Sequence, residues 1–182
     1  MPRFILGLIV AIGLIFVILI LLLTKPAPPK ITPLTHYAGS SSEVEMVVNG
    51  PINAASNHNS LNITVNDSTA TFNLVQGYDN NVISTKTENT SPKGYAAFLA
   101  ALNQAGFQKG IKSKLSSNGI GYCSTGDVYD FRLYNNGSLV HQYWATSCPN
   151  DPRTYKGDFS LTANLFNAQI ENYSSLVENT NF

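Results

Sequence analysis

Residues 121–148 read GYCSTGDVYDFRLYNNGSLVHQYWATSC and hold both cysteines of the 182-residue chain, one near each end. Tyr129, Phe131 and Leu133 alternate with polar neighbours, and so do Val140, Gln142 and Trp144. That period of two marks two strands, each with one buried face. Asn136 and Gly137 stand between them, and Asn-Gly is the pair a type I′ hairpin turn selects, because both central residues need positive φ. With the turn placed there, Leu133 faces Val140, Tyr129 faces Trp144 in a buried aromatic pair, and His141 falls opposite Arg132 at the surface. The hairpin brings its two open ends together, so Cys123 and Cys148 are predicted to close its base as a disulfide. In the chain-entropy view such a closure stabilises by roughly 3 kcal/mol.

Upstream, the same period appears at Val44, Met46 and Val48, at Leu61, Ile63 and Val65, and at Ala70, Phe72 and Leu74, with a weaker run over residues 82–86. The period then changes. In SPKGYAAFLAALNQAGF, residues 91–107, Tyr95, Phe98, Leu99 and Leu102 fall on one face of a helix. Ser91 suits its N-cap, Pro92 its first turn and Gly106 its end. Tyr95 and Phe98 are read as core. A second helix is expected near residues 158–170, capped by Asp158 or Ser160, with Leu161, Leu165, Ala168 and Ile170 roughly on one side. Strands, helix, hairpin and helix in that order predict an α+β domain: a mainly antiparallel sheet with two helices packed on it.

The N-terminal end is different. FILGLIVAIGLIFVILILLL, Phe4 to Leu23, carries no charge. At about 20 residues it would be roughly 30 Å long as a helix, the thickness of a bilayer's hydrocarbon. Thr24-Lys25-Pro26 follows directly, with no small-residue cleavage site and no cysteine for lipid attachment, so an uncleaved single-pass anchor is expected. A pilin-type helix would carry a Glu near its start and run on past the membrane. This one has no Glu, and Pro26, Pro28 and Pro29 end it. Flanking positive charges nearly balance, Arg3 and the α-amine on one side and Lys25 and Lys30 on the other. The cysteine pair breaks the tie, since disulfides persist in oxidising compartments. The expected layout is a cytoplasmic tail at 1–3, an anchor at 4–23, a Pro/Ser-rich linker at 24–42 and an extracytoplasmic domain at 43–182, at the cell membrane.

Charged residues make up 12% of the chain and the formal net charge is +0, so there is no basic footprint for nucleic acid. Lys109, Lys112 and Lys114 form a small cluster, read as a solvated loop. The three histidines, His36, His58 and His141, and the two cysteines show no metal-ligand spacing, and no G-x-S-x-G, paired-carboxylate or phosphate-loop pattern is present. No cofactor and no catalytic residue is assigned, and an enzyme would need a site assembled in space. Asn-x-Ser/Thr sites at Asn62, Asn66, Asn89, Asn136 and Asn172 would matter only in a eukaryotic secretory pathway. The function expected is binding: a tethered, non-catalytic domain that meets a protein or surface partner.

The stretch from Tyr95 to Cys148 resembles part of the bacterial subtilisin-inhibitor family. The features that carry the likeness are an Ala/Leu-rich helix, Cys123, a short loop, Tyr129-Asp130, a hairpin and Cys148. That resemblance implies a protease inhibitor in which Ser124, Thr125, Gly126, Asp127 and Val128 would be the binding loop. The family's second disulfide has no counterpart here, this loop is longer, Gly126 loosens it, and the family is secreted free rather than tethered.

Overall fold

The computed structural model describes residues 13–19, 32–39, 41–112, 114–178 and 180. The chain divides into two units, Met1–Thr32 and Pro33–Phe182. In the first, residues 13–19 are helical, with the apolar side chains from Leu14 to Leu19 exposed. The rest of the expected anchor and residues 24–31 of the expected linker lie outside the described residues. Among the described residues, no helix is long and apolar enough to cross a membrane.

The second unit begins inside the stretch read as linker. A 3-10 turn, Leu34–Gly39, buries Leu34 completely. Six strands follow in one antiparallel sheet: β1 (Ser42–Asn49), β2 (Asn59–Val65), β3 (Thr69–Gln76), β4 (Asn81–Asn89), β5 (Val128–Asn135) and β6 (Ser138–Thr146). Their spatial order is β4-β3-β2-β1-β5-β6. The first four strands form a meander, and the chain then crosses over the sheet to place β5 against the free side of β1. The α+β class and the antiparallel sheet expected from the alternating runs are thus present.

The crossover is helix α1 (Pro92–Ala105). Ser91 caps it, its side chain accepting from the Gly94 N–H at 3.1 Å. Such a cap stabilises by about 1 kcal/mol. Gly106 ends the helix at φ 82°, a left-handed conformation that glycine adopts without strain. Tyr95, Phe98, Leu99 and Leu102 are all buried, as their spacing predicts. The Tyr95 hydroxyl meets Ser42 Oγ at 2.9 Å, and burial pushes its pKa up to about 12.

Helix α2 (Phe159–Asn167) starts at Asp158, whose carboxylate accepts from the Leu161 N–H at 2.9 Å. Its buried face differs from the expected one. Thr162, Ala163 and Phe166 turn inward, followed by Ile170, while Leu161 is 45% exposed. Phe166 sets the phase: its ring packs against Phe98, Phe107 and Phe131 at centroid distances of 5.3, 6.2 and 6.3 Å. The larger aromatic surface outweighs that of Leu161. The helix stops short of Ile170, and Asn172 at φ 56° redirects the chain into the short α3 (Tyr173–Val177).

The hairpin register also differs. Asn136 and Gly137 do form the turn, at φ 50° and 74°. Tyr134 pairs with Leu139 but Leu133 pairs with His141, so Val140 is an extra residue on β6. This bulge moves every later pair by one: Arg132 faces Gln142, Asp130 faces Trp144 and Tyr129 faces Ala145. A one-residue slip sends a side chain to the other face of the sheet. Trp144 therefore lies opposite the helices, not beside Tyr129.

The sheet has two unlike faces. Val44, Met46, Val48, Leu61, Ile63, Phe72, Phe131 and Leu133 form the core beneath the helices. On the other face two rows run across all six strands. One is Gln142, Arg132, Glu45, Thr64, Thr71, Thr87; the other is Trp144, Asp130, Val47, Asn62, Asn73, Thr85.

Candidate functional site: the disulfide end of the sheet

Cys123 and Cys148 are joined by a disulfide, with Cα atoms 5.8 Å apart. The pair does more than close the hairpin. Cys123, Val128 and Trp144 are buried together as a second small core, with Leu115, Tyr122 and Cys148 packed around them. Trp144 is its centre. Its indole N–H donates to the Ser116 carbonyl at 2.8 Å, and the Tyr122 ring stacks on it at 5.0 Å. Gly119 permits this closeness: a Cβ there would sit 2.5 Å from the indole, and the backbone is at φ 71°.

The five residues expected to form a binding loop divide. Ser124 and Thr125 are exposed in a turn, and Ser124 is held by its carbonyl, which accepts from the Ile52 N–H at 2.9 Å. Gly126 lies against the disulfide, where a Cβ would come within 2.6 Å of Ser147 Oγ and 2.9 Å of Cys123 Sγ. The Asp127 N–H donates to Ser147 Oγ at 2.8 Å, and its carbonyl accepts from the Ser147 N–H at 2.9 Å. Burial pushes the Asp127 carboxyl above its ordinary value, against the hydrogen bond from Tyr129. Val128 is buried and begins β5.

Three residues that sequence reading passed over meet at this end. Ile52, Tyr78 and Ile120 are 55%, 53% and 59% exposed, and they ring a pocket of about 170 Å³ together with Gly121, Cys123 and His58. His58 is itself held in place. Its Nδ1 lies 2.9 Å from the Pro51 carbonyl oxygen, and its ring stacks on Tyr78 at 4.2 Å. Each exposed apolar residue comes from a separate connection between elements, and each connection carries a glycine: Gly50, Gly77, and Gly119 with Gly121. Tyr78 also braces the site, its hydroxyl donating to the Asn53 carbonyl at 2.8 Å; Ile52 and Ile120, large apolar side chains within polar connections, were the available signal.

The other histidines do not join this site. His36 is exposed in the 3-10 turn. His141 is half-buried near Gln108, and burial lowers its pKa. Among the described residues, the Cys123 and Cys148 sulfurs and an Asp151 oxygen lie within 4.8 Å of one another, but both sulfurs are committed to the disulfide.

The strongest electrostatic feature stands beside the small core. Asp130 is fully buried, and its Oδ2 accepts from Arg132 Nε at 2.8 Å, Arg132 Nη2 at 2.6 Å and Gln142 Nε2 at 2.9 Å. Arg132 Nη1 reaches Glu45 Oε2 at 2.9 Å, and the Asn62 amide donates to the other Glu45 oxygen. Burial pushes the Asp130 carboxyl up while Arg132 and Gln142 pull it down. Burial acts to lower the Arg132 pKa, but Asp130 and Glu45 outweigh it and raise the guanidinium. The network locks strands β1, β2, β5 and β6 to one another through side chains. No protein-family profile and no curated protein sequence matches this chain.

Proposed function

We propose that this protein is a non-catalytic binding domain, held at the outer side of a membrane by the apolar segment Phe4–Leu23, and that it takes a protein partner at the disulfide end of its sheet. The observation that carries the reading is the group of exposed Ile52, Tyr78 and Ile120 around one apolar pocket. Contiguous exposed apolar surface on a folded domain marks an interaction site. The disulfide and the Ile52–Ser124 backbone bond hold its walls, so less order is lost on binding.

A photo-crosslinking side chain placed at Ile120 in intact cells tests this. The expected result is a discrete protein adduct that weakens when Ile52 and Tyr78 are both changed to Ser. An adduct pattern indifferent to those changes refutes the site. Protease added to the same cells should release the domain; digestion only after lysis would reverse the topology. The inhibitor reading is favoured less. A substrate-mimicking loop must be extended and proud of the surface, whereas Ser124–Thr125 form a turn and Gly126 and Asp127 pack on the disulfide. Stoichiometric slowing of a serine protease by the full chain would reinstate that reading.

A further inference from the structure

The sheet has two outer edges, and they are treated differently. β4 is guarded. Lys86 stands opposite Phe72 on the core side, donates to the Glu171 carbonyl, and pairs with Glu88 at 3.0 Å. Inward-pointing charge on an edge strand blocks the approach of another strand. β6, SLVHQYWAT, has no charged residue and no proline, and the irregularity it carries is the bulge at Val140, before Gln142.

Part of the β6 edge is covered by the chain itself. The N–H groups of Thr154 and Tyr155 donate to the Trp144 carbonyl at 3.1 and 2.9 Å, and Thr154 Oγ1 accepts from the Trp144 N–H at 2.9 Å. Trp144 thus turns its backbone polar groups away from β5. Gln142, two residues earlier, turns its own the same way, because the pattern alternates in an antiparallel strand. Beside it lies an open groove of about 540 Å³, lined by Ile111, Lys112 and Leu115 from the segment before Cys123, by Val140, His141 and Gln142 from β6, and by Thr154.

We propose that this groove takes an extended acidic polypeptide segment as a seventh strand, in line with Thr154–Tyr155. Backbone bonds would form at Gln142. Apolar side chains at alternate positions would pack on Ile111, Leu115 and Val140, and the acidic ones would reach Lys112 and neighbouring Lys114. No acidic residue lines the groove, and the carboxylate that Gln142 contacts, Asp130, is buried and paired with Arg132. Charge also selects against the nearest competitor. A second copy of this chain on the same edge would bring no carboxylate from its own groove lining to meet these lysines. The proposal is independent of the surface around Ile52, Tyr78 and Ile120, none of which lines the groove.

The test uses the full chain in detergent micelles and a displayed library of peptides about eight residues long, the length of an ordinary strand, with acidic and apolar residues alternating. The expected result is enrichment of saturable binders. Val140→Lys, which gives β6 the guard that β4 has, should weaken the selected peptide at least about tenfold. Lys112→Glu should weaken it more at low salt than at high salt. N-methylation of alternate peptide bonds should abolish binding, and Tyr78→Ser should leave it unchanged. Failure to enrich any peptide over the Val140→Lys protein overturns the proposal. So does binding insensitive to N-methylation, or concentration-dependent dimerisation that occupies the groove.

Discussion

The two ends of this sheet reach stability by different means. At the β3–β4 end one face buries Ala70, Phe72 and Leu74 of β3 while no residue of β4 is buried, and the other face is an open lattice of Thr and Asn side chains bonded to one another, such as Thr85 Oγ1 to Asn73 Oδ1 at 2.8 Å. At the base of β5–β6, where Val128, Asp130 and Phe131 lie beside Trp144, Ala145 and Thr146, both faces are covered. The helices lie on one, and the Trp144 core, the disulfide and the Asp130–Arg132–Glu45 network on the other. An open polar face needs no desolvation and costs little. A doubly covered end must bury charge and needs covalent bracing, but it can hold surface loops in fixed positions. Both surfaces proposed to bind a partner touch that braced end.

The contrast can be broken most severely at the buried charge. Arg132→Met leaves the Asp130 carboxylate enclosed without its cation, and chemical denaturation should show a loss of about 3–5 kcal/mol. Thr71→Ala, on the open lattice, should stay within about 0.5 kcal/mol. Next comes the disulfide. With its cysteines 25 positions apart in sequence, Cys123→Ser with Cys148→Ser should cost about 3–4 kcal/mol, read as a lower midpoint with an unchanged core signal from Tyr95 and Phe98. A third experiment exchanges the character of the edges. Lys86→Val with Glu88→Val removes the guard from β4. Stability should change by no more than about 1 kcal/mol, since the pair is partly exposed, but sedimentation should reveal self-association absent from the parent.

The smallest effect concerns pH. Burial lowers the His141 pKa, so between the folded value and the ordinary value near 6.5 the unfolded chain binds more protons. Stability from this group is therefore full above the unfolded pKa and declines as pH falls through that window. His141→Gln should flatten the slope there, and a variant with the same slope as the parent would remove His141 from the balance.

The local features of the fold were readable because each followed from a few neighbouring residues. Ser91 and Gly106 mark the ends of α1, Asn136-Gly137 marks the hairpin turn, and the cysteines stand at its base. What escaped depended on neighbours distant in sequence. The bulge at Val140 leaves no sign in an alternating pattern that continues on both sides of it, yet it moves Trp144 to the opposite face. The phase of α2 was taken from Leu161 and Leu165 because they are apolar, while the aromatic cluster that captures Phe166 draws on α1, β5 and the residue after Gly106. The patch of Ile52, Tyr78 and Ile120 is assembled from three connections that only the strand order brings together.

The position of β1 carries a mechanical consequence. It is the first strand after the N-terminal segment, yet it lies inside the sheet, matched over six residue pairs with β2 and eight with β5. A pull entering from the N-terminal side first meets Leu34, seated under α1 with its N–H directed to Asn103 Oδ1 at 3.4 Å. Beyond that it must slide β1 lengthwise past both neighbours at once, loading the two ladders in shear instead of opening them one bond at a time. Force entering this unit through residues before β1 would thus be borne by both ladders together.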